Sequence, residues 1–300
     1  MKYRLSIFLC IFLVIPSQSI SSDYQKISTR YFDFFFNTYD KNVVEPLANE
    51  SDMIAEKVMS DLGVMFKGKI EVRIAGRDEF KKVQPHHRDI PNWVSGIAYH
   101  KLSLIILKSP RPIRGGHYDL KKTFVHELTH VLFGSSFKNG ARIPRWLNEG
   151  VSMYESREWS FSRVSAITQA VLTGDLLPLS EITYTFPRER REVELAYCQS
   201  FYLVSYLIKK YGKRRFQNFI KLYIKEGLFE DALLKIYGVN LNVLEKNWHR
   251  SLKMRYSWIP IITSTSTLWF IITLIFICGY IRKRRRVVAT LQQWEEDELP

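Results

Sequence analysis

Cysteine is scarce in this chain of 300 residues, with three in all. Cys10 and Cys278 lie in apolar runs near the two ends, so Cys198 stands alone between them and no internal disulfide can staple that part. Charge is missing altogether from Trp258 to Ile281, a run long enough to cross roughly 30 Å of hydrocarbon as a helix. Internal repeats and low-complexity linkers are absent between Asp23 and Ser257, which makes one domain the economical reading of that stretch. Aromatic-basic patterns of the kind that read nucleic acid are absent too, although the formal charge is +14.

The two ends assign a topology. Lys2 and Arg4 precede an apolar run from Leu5 to Ile15, followed by Pro16 and a small or polar stretch, the order of a secretory signal peptide. After Ile281 comes Arg282-Lys283-Arg284-Arg285-Arg286, and basic clusters of this kind stay on the cytoplasmic side. The expected organisation is a signal peptide over 1–22, an ectodomain over 23–257, a transmembrane helix over 258–281 and a cytoplasmic tail over 282–300. The ectodomain then lies on the periplasmic or extracellular side. The end segments account for three units of the net +14, leaving about +11 on the ectodomain, a surplus suited to anionic lipid surfaces or polymers. A non-cytoplasmic domain without disulfides fits a bacterial exported protein better than a eukaryotic extracellular one.

Within the ectodomain the period of the apolar residues changes partway. Met53, Ile54, Val58 and Leu62 line one face of a helix over 46–62, and Ile70, Val72 and Ile74 then alternate as a half-buried strand. Segments 95–99 and 102–107 read as two more strands. Beyond Gly116 the pattern is almost wholly helical, with Gly134, Gly174, Gly212, Gly227 and Gly238 near expected helix ends. The fold class is therefore α+β, with a small sheet and a helical C-terminal part.

Inside a helix capped by Asp119 stands His126-Glu127-Leu128-Thr129-His130. Side chains four apart share a helix face, so both imidazoles can ligate one zinc ion while Glu127 reaches water beside it. Five residues alone fit an ordinary amphipathic helix as well, and a third ligand has to decide. Eighteen residues lie between His130 and Glu149, and the run Pro144-Arg145-Trp146-Leu147-Asn148-Glu149-Gly150 places Glu149 off a packing face of Trp146, Leu147, Gly150, Val151 and Tyr154. Two imidazoles and a carboxylate leave a fourth position for water, the mark of a catalytic rather than a structural zinc site.

This pair of motifs resembles the gluzincin peptidases, particularly the peptidase MA-like domains and the aminopeptidase N-like family. In that family a Trp-Leu-x-Glu-Gly helix supplies the glutamate ligand. The resemblance runs over most of Ile70 to Leu252, most closely at the two motifs. It implies a zincin-like fold, one zinc ion on His126, His130 and Glu149, Glu127 as general base, and a peptide or protein substrate. It also implies an oxyanion donor on a downstream helix, where Tyr197 stands in Leu195-Ala196-Tyr197-Cys198-Gln199-Ser200, although Ser200 replaces the family's glycine.

The same resemblance bears on specificity. Aminopeptidases of the family carry Gly-x-Met-Glu-Asn on the strand flanking the substrate, and the glutamate binds the free amino terminus. The comparable Val94-Ser95-Gly96-Ile97-Ala98-Tyr99-His100 has no carboxylate, so the expectation is an endopeptidase, with 102–107 as the edge strand along which a peptide pairs. Should an acidic anchor exist, Glu155 and Glu194 are the first to examine. Two alternatives remain open: a zinc hydrolase of a non-peptide amide such as a cell-wall component, and a non-enzymatic binding module on the same fold. A second metal site from His86 and His87 is conceivable, and 188–192 reads as an exposed charged loop.

Overall fold

The computed structural model describes residues 24–85, 91, 93–110, 119–137, 140–158, 160–256 and 265–297. The expected signal peptide, His86, His87, His117 and the first part of the expected transmembrane run lie outside the described residues. Among them, five strands form one mixed sheet. These are β1 (Tyr24–Ser28), β2 (Phe32–Asn37), β3 (Ile70–Ala75), β4 (Gly96–Tyr99) and β5 (Leu104–Lys108), in spatial order β1-β2-β3-β5-β4. β2, β3 and β5 run parallel, and β1 and β4 are antiparallel edges.

Strand β2 shows why the sheet has an inner face. Phe32, Phe34 and Phe36 are fully buried while Asp33, Phe35 and Asn37 alternate outward. Strand β5 is buried on both sides: Ile105 and Leu107 enter the main core, and Leu104 and Ile106 join Ala75 and Phe80 in a smaller core on the opposite face. This corrects the expectation for 102–107. An unbroken apolar run belongs to a strand covered on both faces, and the edge position falls to β4.

The main core lies between the sheet and helices α1 (Lys41–Leu62) and α3 (Leu120–Ser135). The Phe124 ring of α3 meets Phe32 edge-on at 5.3 Å. A short α2 (Arg77–Phe80) supports the far face of the sheet, and α4 (Arg145–Glu155) follows α3. Then come α5 (Phe161–Thr173), α6 (Leu179–Ile182), α7 (Arg190–Tyr211), α8 (Lys213–Glu226), α9 (Phe229–Tyr237) and α10 (Leu241–Tyr256). Gly174, Gly212, Gly227 and Gly238 cap helix C-termini as expected.

Gly134 does not. It lies inside α3, where a Cβ would come within 2.7 Å of the His100 ring, so close approach rather than a helix stop explains the glycine. The expected loop 188–192 is helical from Arg190 onward. One helix among the described residues, α11 (Thr265–Asp297), is long and apolar enough to cross a membrane, and none of its apolar window is buried. It runs through the arginine cluster rather than ending at Ile281, because no proline or glycine interrupts the backbone there.

Candidate active site

Helix α3 begins at Asp119, whose carboxylate accepts the Lys122 N–H at 3.0 Å. Leu120, Phe124, Leu128, Val131 and Leu132 then turn into the core, which leaves His126 and His130 on the face toward α4. Across from them α4 starts at Pro144 with the Arg145 N–H donating to the Thr183 carbonyl at 2.5 Å. Trp146, Leu147 and Val151 are buried, and Gly150 sits so close to α7 that a Cβ would fall 2.3 Å from the Ser200 carbonyl oxygen. This packing fixes the rotation of α4 and turns Glu149 toward the imidazoles.

The result is a cluster of His126, His130 and Glu149 whose ligand atoms lie within 4.8 Å of one another. The two Nε2 atoms are 3.1 Å apart, and Glu149 Oε2 is 3.7 Å from that of His126 and 3.4 Å from that of His130. The opposite ring nitrogens already have partners. His126 Nδ1 meets Glu158 Oε1 at 2.6 Å, and His130 Nδ1 meets Ser152 Oγ at 3.0 Å. Ser152 donates its hydroxyl hydrogen to the Asn148 carbonyl, so it accepts from the His130 Nδ1–H.

In the neutral form that ligates a metal, both rings would therefore carry their proton on Nδ1 and turn Nε2 lone pairs toward each other and toward a carboxylate. Three electron-rich atoms converging in this way fit a divalent cation, and two nitrogens with one carboxylate oxygen suit zinc. The local electrostatics agree. Burial works against charge on His126, yet its bonds to Glu149 and Glu158 hold its pKa at about 10, so the pocket selects positive charge at this point. Glu149 is driven the other way: burial alone would raise its pKa, but His130 and His126 pull it far below the carboxylate range.

Sequence reasoning did not find Glu158. After α4 the chain reverses through Arg157, a non-glycine residue at φ 54°, with the Glu158 N–H donating to the Met153 carbonyl at 3.1 Å. That turn brings Glu158 back beneath His126. Ser156 Oγ donates to its Oε1 at 3.0 Å and Arg163 to its Oε2 at 2.9 Å. Against the effect of burial, the bond and charge of His126 first, then Arg163 and Ser156, lower the Glu158 pKa to about 2. No periodicity links Glu158 to the motif, since it lies beyond the helix end. The usable signal is chemical: a ligating imidazole needs an acceptor for its second nitrogen.

Glu127 is 8% exposed, and burial raises its pKa. Gly96 of β4 lies directly against it, where a Cβ would be 2.7 Å from the Glu127 Cγ, so the strand can pass this close only as glycine. Tyr197 is also brought to the cluster. Burial, then the charge of Glu149, pushes its hydroxyl well above the usual phenol range while Arg145 pulls it down, and the group stays a proton donor.

Both suggested acidic anchors have cationic partners of their own. Glu155 projects toward a cavity of about 350 Å³ bounded also by Lys57, Asp61, Phe201 and Phe216, with Lys57 Nζ 3.6 Å from its carboxylate. Burial, and then Asp61, raises its pKa to about 7. Glu194 is 66% exposed and paired with Arg190 at 3.3 Å.

Comparisons with known proteins place this geometry. The Bacillus subtilis (strain 168) protein YhcO is 28% identical over 141 residues, 44% of this chain and 41% of that protein. Human aminopeptidase B is 29% identical over 138 residues, 39% of this chain and 21% of that one. The chain thus spans less than half the length of these curated relatives. Among solved structures, a mutant M1 zinc metallopeptidase from Deinococcus radiodurans aligns with TM-score 0.45 at 15% identity, over 76% of this chain and 50% of that chain. The model of the Peptidase MA superfamily matches residues 51–254. The chain belongs to that superfamily, and its His126, His130 and Glu149 form a metal site of the gluzincin type.

Proposed function

We propose that this chain is a membrane-anchored endopeptidase acting outside the cytoplasm, with Glu127 as general base and Tyr197 as oxyanion donor. The observation that carries the catalytic part is the placement of a buried carboxyl with a raised pKa, Glu127, beside three converging metal ligands. Zinc held there supplies a Lewis acid that makes water a nucleophile near neutral pH. Glu127 takes the proton from the attacking water and hands it to the leaving amine. Its raised pKa suits both transfers, because a carboxyl titrating nearer neutrality can accept and return a proton. Tyr197 remains protonated and donates to the oxygen that gains charge as the carbonyl is attacked.

The endopeptidase part is supported by what flanks Glu127. Strand β4 passes Glu127 at Gly96 and is the last strand of the sheet, which suits it to pair with an extended peptide through its backbone. The run 94–100 brings no carboxylate to hold a substrate ammonium, and Glu155 and Glu194 are engaged elsewhere.

Two reporters test this on the full-length chain in detergent. An internally quenched peptide blocked at its N-terminus should be cut, and a free-amino dipeptide reporter should not. Glu127→Gln should keep one zinc per chain while turnover falls by about a hundredfold or more. Aminopeptidase action, the activity named in one relative, is the competing outcome. Preference for the free amine, lost on acetylation, would overturn the endopeptidase reading.

A further inference from the structure

Beside the zinc ligands runs a short aromatic and cationic ledge that the mechanism above does not use. The backbone bond from Arg145 to Thr183 lays the segment entering α4 alongside residues 183–186. Arg142 then stacks over Tyr184 at 4.3 Å, and Arg145 over Phe186 at 4.5 Å. Phe186 in turn meets Tyr197 edge-on at 5.2 Å. The Arg145 guanidinium bears on the Tyr197 hydroxyl, and its Nε stands 3.7 Å from Glu149 Oε1. That separation exceeds hydrogen-bond length. Glu149 is already directed to the two imidazoles through its other oxygen, Oε2.

The Arg145 side chain is 43% exposed, against 12% for Glu149, so it faces the open side of the site. An aromatic ring supports its plane, and its charge is only weakly answered by a carboxylate committed to metal ligation. A guanidinium held in this way is suited to grip a carboxylate with two parallel hydrogen bonds.

We infer that Arg145, braced by Phe186, forms a substrate subsite for a carboxylate close to the scissile bond. The inference rests on the peptidase reading and adds a substrate class to it. The carboxylate has two sources: an Asp or Glu side chain flanking the cut, or the free C-terminus of a substrate cut near its end. In the first case the enzyme prefers acidic sequences, and in the second it removes short C-terminal pieces.

The test uses the zinc-loaded full-length chain in detergent and two matched sets of N-blocked quenched peptides. One set carries Glu or Gln at each position flanking the cut. The other ends near the cut as a free acid or an amide. Wild type should favour the carboxylate member of one set by about tenfold or more in kcat/KM, chiefly through KM. Arg145→Gln should abolish that preference, read as the ratio of kcat/KM between the carboxylate and neutral members of a set, and Arg145→Lys should restore part of it.

The binding of labelled acid and amide peptides to the inactive Glu127→Gln protein, read by fluorescence anisotropy, should show the same preference without turnover. Equal handling by wild type of the carboxylate and neutral members in both sets would overturn the subsite, whether or not any Arg145 variant folds. A uniform fall in kcat for all peptides in Arg145→Gln, or loss of its zinc, would overturn it in favour of a role holding Glu149 and Tyr197. If no peptide is cut at all, the peptidase reading fails first, and the anisotropy arm still judges the subsite by itself.

Discussion

His126 illustrates how much of the site depends on a residue outside both motifs. Its Nδ1 is held by Glu158, which is itself held by Ser156 and Arg163, so the ring is fixed before a metal arrives. Replacing Glu158 with Gln keeps the shape but removes the charge that makes His126 a stronger donor. Zinc affinity, read by competition with a chelator, should fall by about ten- to a hundredfold. Unchanged affinity would mean that Glu158 is only a surface acid that happens to sit near the ring. For Tyr197→Phe, turnover should fall by about a hundredfold while KM and zinc content hold, because one donor to the developing oxyanion is gone. Activity within a fewfold of wild type would move that role to another group.

At the level of helices, the contact between α4 and α7 is the one that holds the site in register. Gly150 has no room for even a methyl group, since the Ser200 carbonyl occupies that space. Backbone cannot swing aside as a flexible side chain can, so Gly150→Ala must push the helices apart. We expect a loss of about 1–3 kcal/mol in chemical denaturation. Because Glu149 is the preceding residue, zinc occupancy should fall with stability. Normal stability together with full occupancy would show that the contact is looser than its geometry indicates. The turn at Arg157 belongs to the same system: it ends α4 and delivers Glu158, so one helix supplies a ligand and its own C-terminus supplies the brace for another.

For the molecule as a whole, α11 presents its apolar side chains outward, including Trp269 at 63% and Phe276 at 78% exposed. A helix of this composition, unburied among the described residues, has the makings of a bilayer span, and the arginine cluster within it would then keep the tail cytoplasmic. A reporter fused after Pro300 should work only in the cytoplasm, and protease added to intact cells should reach the catalytic domain but spare the tail. Digestion of the tail alone would reverse the topology. With about +11 on residues 23–257, the domain would then be drawn toward anionic headgroups in a way that weakens as salt rises.

The metal ligands were legible from sequence because an i, i+4 pair on one helix and a Trp-Leu-x-Glu-Gly helix are local patterns whose geometry follows from the turn of the backbone. The α+β layout and the glycine caps at Gly174, Gly227 and Gly238 were legible for the same reason. Strands β1 and β2 were not: Phe34-Phe35-Phe36 blurs the alternation, and only pairing between strands shows which ring turns inward. The same limit misplaced the sheet edge, since which strand lies outermost depends on neighbours distant in sequence. Glu158, the ledge of Arg145 on Phe186 and the close passes at Gly96, Gly134 and Gly150 all join segments from different elements. Those relations arise when apolar faces pack and bring remote backbone together, and no period along the chain encodes them.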